Sequence, residues 1–77
     1  MKRVLPDGSC ALVEPSGGGV LVSRVLPDGR CVWGQAFRFP PYDALGKPDE
    51  GRQDREVAEL VDRMTADPQA YHRWWLQ

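Results

Sequence analysis

VLPDGSC at residues 4–10 returns as VLPDGRC at residues 25–31, a repeat at an offset of 21 residues with one difference, Ser9 against Arg30. Two copies are too few for a solenoid, so the repeat is read locally. Proline presets φ at the second turn position, aspartate tolerates the next, and glycine accepts the left-handed conformation that closes a three-residue hairpin loop with a bulge. Each copy is therefore expected to reverse the chain, with Leu5 facing Ser9 and Val4 facing Cys10 in the first hairpin. Leu26 facing Arg30 and Val25 facing Cys31 follow for the second.

Between the two copies the only loop signal is residues 14–19, with Pro15, Ser16 and three glycines. Pairing Val13 with Val20 and Leu12 with Leu21 across it gives a four-stranded antiparallel meander whose side chains alternate between two faces. One face collects Val4, Cys10, Leu12, Leu21, Val25, Cys31, Trp33, Phe37 and Phe39. The other collects Leu5, Ala11, Val13, Val20, Val22, Leu26, Val32 and Ala36, interrupted by Arg3, Arg24 and Arg38. A single helical layer is expected on the aromatic face, leaving the arginine-bearing face open as a candidate interface. The same order sets Cys10 and Cys31 two strands apart, roughly 10 Å at about 4.8 Å per strand, too far for a disulfide.

Three prolines and two glycines in residues 40–51 end the sheet half, residues 1–39, and form a connection. In the remaining residues 52–77 the period changes. Val57, Leu60, Val61 and Met64 stand at i, i+3, i+4 and i+7, the stripe of an amphipathic helix. Asp67 before Pro68 is a stop and a restart, so a second short helix is expected, carrying Tyr71, Trp74 and Trp75 on one side. The whole chain reads as one α+β domain: two VLPDG hairpins, then two C-terminal helices on one sheet face.

At 77 residues, 42% of them hydrophobic, the chain suits one small globular core and is too apolar for a disordered tail. The net charge of −1 supplies no global field for nucleic acid or an anionic membrane. Five basic residues against three acidic in residues 1–39, and five against eight in residues 40–77, make only a mild asymmetry. MKRVLPDGSC lacks the apolar run of a signal peptide and no later stretch is long enough to span a bilayer, so a cytoplasmic protein with reduced thiols is expected.

Chemistry-bearing residues are sparse. Cys10, Cys31 and His72 lie on separate elements without the paired spacing of a zinc site, and no cysteine–histidine signature marks a nucleophile. Cysteines in such settings are usually small buried hydrophobes. Gly17, Gly18 and Gly19 join two strands instead of opening a helix, so the positive helix end of a phosphate loop is missing. Most of the acids between Asp49 and Asp67 fall on the solvent side of the helix, where charge is the ordinary filling. No cofactor, no metal and no catalytic activity are expected.

A protein-binding role is the function expected by exclusion. The candidate contacts are Arg3, Arg24, Arg38 and Val22 on the open face, with Trp74 and Trp75 as secondary anchors, since arginine and tryptophan are enriched in binding hot spots. A second copy of the chain could mask the same face. Single-stranded nucleic acid is the rival partner, because arginines beside aromatics suit stacked bases; against it, the aromatics are expected on the opposite face. In overall profile alone, with no motif behind it, the chain resembles small inhibitor and accessory proteins carried by phages and mobile elements.

Overall fold

The computed structural model describes residues 1–37, 45–47 and 50–72. Four strands run in chain order across one antiparallel sheet: β1 (Lys2–Val4), β2 (Cys10–Ser16), β3 (Gly19–Val25) and β4 (Cys31–Phe37). Helix α1 (Glu50–Ala66) follows, and a three-residue 3-10 turn, Pro68–Ala70, comes after it. The chain is a small α+β domain with one α-helix among the described residues. The expected second helix is here only that turn; Trp74 and Trp75 lie outside the described residues, as do Arg38 and Phe39.

Both VLPDG segments form the hairpin loop their residues dictate. Leu5 N–H donates to Ser9 O at 2.8 Å and Gly8 N–H to Leu5 O at 3.0 Å; Leu26 to Arg30 and Gly29 to Leu26 repeat the pattern at 2.8 and 2.9 Å. Gly8 and Gly29 take φ of 89° and 93°, the left-handed region in which a side chain would be strained. Val4 pairs with Cys10 and Val25 with Cys31, as expected. Cys10 and Cys31 therefore flank Val25 from opposite sides, and both thiols are free.

The central hairpin is tighter than expected. Val13 pairs with Val22 and Ser16 with Gly19, so the loop is only Gly17 and Gly18, with φ of 53° and 88°. Two consecutive positive φ values make the two-residue turn whose twist matches that of its strands. The register thus differs by two residues from the Val13–Val20 pairing, and because the side-chain period is two, both strands keep their faces.

A larger correction comes from β4. Val25 pairs with Cys31 but Arg24 pairs with Trp33, so Val32 is an extra residue, a β-bulge. From Trp33 onward the strand changes parity. Trp33, Gln35 and Phe37 consequently share a face with Arg24, Val22 and Val20, and the aromatic and arginine-bearing faces assigned from strict alternation are one face. Helix α1 covers it. Val57, Leu60, Val61 and Met64 form one cluster with Leu5, Ala11 and Val22, with Val13, Val20, Trp33, Phe37 and Tyr71 packed around it.

The expected helical stripe is therefore the one observed, but it closes the sheet face that was expected to stay open. The opposite face, which no described helix covers, carries Val4, Cys10, Leu12, Leu21, Val25 and Ala36, with Ser23 buried among them. An exposed ion pair, Arg52 Nε to Glu56 Oε1 at 3.3 Å, joins successive turns of α1 on its solvent side. Such a pair adds about 0.3–0.5 kcal/mol, far less than the apolar stripe beneath it. No helix among the described residues is long and apolar enough to cross a membrane.

Candidate functional site

Among the described residues the largest fully buried side chain is an arginine. Arg24, on central strand β3, is 1% exposed beneath the helical layer. An unpaired guanidinium there would be prohibitively costly, and four groups surround it. Its Nη2 donates to Asp7 Oδ2 at 2.6 Å, its Nε to Ser9 Oγ at 3.1 Å and its Nη1 to Tyr71 O at 3.2 Å. His72 Nδ1 also lies 3.2 Å from Nη1, and because a guanidinium can only donate, Nδ1 is the acceptor.

Asp7 is the hub of this cluster. Its Oδ1 accepts the Ser9 backbone N–H at 3.0 Å and the Ser9 hydroxyl at 2.5 Å, while its Oδ2 takes Arg24 and the Gln69 side-chain amide at 3.1 Å. Hydrogen bonding from the Ser9 side chain, helped by the Ser9 backbone N–H and by Arg24, lowers the carboxyl from 3.8 to about 2, against the opposing effect of desolvation. Ser9 is itself buried. One ion pair therefore ties the first hairpin loop to the central strand and to the chain that follows α1, where Tyr71 stacks edge-on against Trp33 with centroids 4.9 Å apart.

The second copy of the repeat shows what the single sequence difference does. Asp28 Oδ1 accepts the Arg30 backbone N–H at 3.0 Å, as Asp7 does from Ser9, and its Oδ2 takes a guanidinium at 2.7 Å. That guanidinium belongs to Arg30 in the same turn, and the pair is solvent-exposed, with side chains 54% and 73% accessible. Asp28 is likewise held below its ordinary value, first by the Arg30 backbone N–H and then by its side chain. One turn geometry thus serves two ends. Serine at the fifth turn position frees Asp7 to receive Arg24 from the core, whereas arginine there satisfies Asp28 locally.

The site residues expected from sequence separate on the folded chain. Arg24 and Val22 lie inside, so neither is presented on an open face. Arg3 stands at the sheet margin, where its Nη1 meets Asp62 Oδ1 at 2.9 Å and Thr65 Oγ1 at 3.5 Å, linking β1 to α1. Asp7 and Ser9 carry no site signature of their own in the sequence; the one sign of their role is the mismatch between Ser9 and Arg30 inside an otherwise identical heptapeptide.

Catalytically, the cluster presents little. The Ser9 hydroxyl donates to Asp7 and accepts from Arg24, and it is buried, so it offers no accessible nucleophile. Among the described residues no three histidine, cysteine, aspartate or glutamate side chains converge as a metal site, and Cys10, Cys31 and His72 are not brought together. The arrangement is one of cohesion. Comparison of the chain with protein-family models, with curated proteins and with solved structures finds no match.

The Asp7 carboxyl gives this cluster a pH signature. A folded-state value of about 2 against 3.8 means that the unfolded chain binds the proton more readily between those limits. The associated stability is complete above about pH 5 and is lost as pH falls through 3.8 toward 2. Urea midpoints measured from neutral pH downward should fall across this window in the native chain. With Asp7→Asn the fall should be shallower; an identical acid profile would show that Asp7 does not contribute.

Proposed function

We propose that this chain is a non-enzymatic protein-binding module of inhibitor or accessory type, taking an apolar protein surface on the sheet face that α1 leaves uncovered. The observation that carries the reading is the side on which the helix sits. With Arg24, Val22 and Ala11 beneath it, Val4 stands 68% exposed on the other side. Leu12, Leu21 and Val25 there keep part of their surface accessible. Apolar side chains gathered on one face favour a partner whose own apolar surface they can bury.

The arginine-bearing face no longer suits this role, since its central guanidinium is spent on Asp7, Ser9 and the Tyr71 carbonyl. Single-strand binding loses the same support. Its arginines were to lie on an open surface, whereas Arg24 is buried and Arg3 is paired with Asp62.

The test compares the native chain with a Val4→Glu, Leu21→Glu variant, each immobilised and exposed to extract from the source cells. A protein retained by the native chain and lost by the variant, with unchanged circular dichroism, is the expected result. Equal retention would reject this face. Salt-sensitive binding of single-stranded oligonucleotides by both would replace the reading with the nucleic-acid one.

A further inference from the structure

The two edges of the sheet are built differently. β1 is three residues long and carries Lys2 and Arg3, the charged, shortened edge by which proteins discourage strand addition. β4 is seven residues long, CVWGQAF, with neither a charge nor a proline. Among the described residues no strand pairs with its outer side. Its bulge lies near the start, at Val32, which leaves Trp33 to Phe37 as a regular and unguarded edge.

We infer that β4 pairs antiparallel with β4 of a second copy, closing a two-fold dimer with one continuous eight-stranded sheet. The occupant follows from the order of residues along the edge. In the symmetric register centred on Gln35, Trp33 of each copy stands opposite the second copy's Phe37, Gly34 opposite Ala36, and Gln35 opposite itself. Both aromatics lie on the helix-covered face and both are only half-buried within one chain. Two aromatic cross-strand pairs therefore form, the small residues meet on the other face, and no like charges oppose one another. The guarded β1 edge disfavours the head-to-tail alternative, which would grow an open filament, so association stops at the dimer. This inference does not rest on the proposed partner face, because it uses the sheet edge and Gln35 lies on the helix side.

Gln35 is exposed, so charge can be placed there without disturbing the core. Sedimentation over a concentration series should show the native chain passing from monomer to dimer. Gln35→Lys and Gln35→Glu, each alone, should weaken the dimer by at least about tenfold in dissociation constant, since each puts like charges face to face at the axis. Mixing the two variants should restore association as a heterodimer. A native chain that stays monomeric throughout, or a Gln35→Lys variant that dimerises as strongly as the native chain, would overturn the inference. Restored pairing in the mixture also shows that both variants are folded.

Discussion

Asp7→Asn is expected to destabilise the fold by about 2–3 kcal/mol, as read from urea unfolding at neutral pH, whereas Arg24→Met costs about 1 kcal/mol or less. The asymmetry follows from where each partner sits. Arg24 has no access to water, so neutralising Asp7 strands a buried charge among one hydroxyl, one carbonyl and one ring nitrogen. Asparagine still accepts the Ser9 backbone N–H and so preserves the turn, but its amide N–H groups would face a guanidinium that can only donate. In the reverse case Asp7, with its side chain 26% exposed, keeps Ser9, Gln69 and solvent, while methionine fills the space the arginine leaves. A small domain has on the order of 5 kcal/mol to lose, so Asp7→Asn alone should shift the midpoint visibly. Asp28→Asn, in the exposed copy of the turn, should move it far less. Equal losses at the two aspartates would mean that burial of Arg24 plays no part.

Trp33→Ala should be comparably damaging. The bulge lets Trp33 pair with Arg24 beneath α1, where its ring meets Tyr71 edge-on, so alanine there loses that contact and leaves a void under the helix. A fully buried aromatic contributes roughly 1.5–3 kcal/mol of apolar burial, and for this half-buried ring the cavity adds to a smaller share. The expected loss is about 2–3 kcal/mol, so the variant should unfold at much lower urea than the native chain. Deleting Val32 should cost much less. It removes only the extra residue: Trp33 then follows Cys31 directly, simple alternation still pairs it with Arg24, and Phe37 stays on the same face. If the deletion cost as much as Trp33→Ala, Val32 would not be the extra residue of the strand.

These two positions also mark where the sequence is legible and where it is not. The turns could be read because their determinants are local: proline, aspartate and a left-handed glycine within five residues. The hairpin pairings at Val4 and Val25, the separation of the two cysteines and the apolar stripe of α1 follow from such short-range rules. The bulge could not be read that way. Val32 looks like any strand residue, and only the packing of Trp33 and Phe37 under the helix distinguishes the bulged strand from the regular one. One extra residue reversed the face assignment of the last strand and, with it, the side on which the helix was expected.

Burial of Arg24 was hidden for a second reason. Arginine is almost never fully buried unless paired, so a strand position bearing one reads as wet. Its partner is 17 positions away in sequence, in a turn whose aspartate already had a local explanation. What betrays the pairing is the exchange of Arg30 for Ser9 between two otherwise identical turns. That exchange removes the local guanidinium from the first turn and leaves its aspartate to be met by another.

A double-mutant cycle between Asp7 and Arg24 measures the buried link most directly. Unfolding free energies are needed for the native chain, Asp7→Asn, Arg24→Met and the double variant. A coupling energy of about 2 kcal/mol is expected, with the double variant more stable than Asp7→Asn alone because the stranded charge has gone. Strictly additive losses, with coupling below about 0.5 kcal/mol, would contradict the assignment of this ion pair as the tie between the first turn and the core.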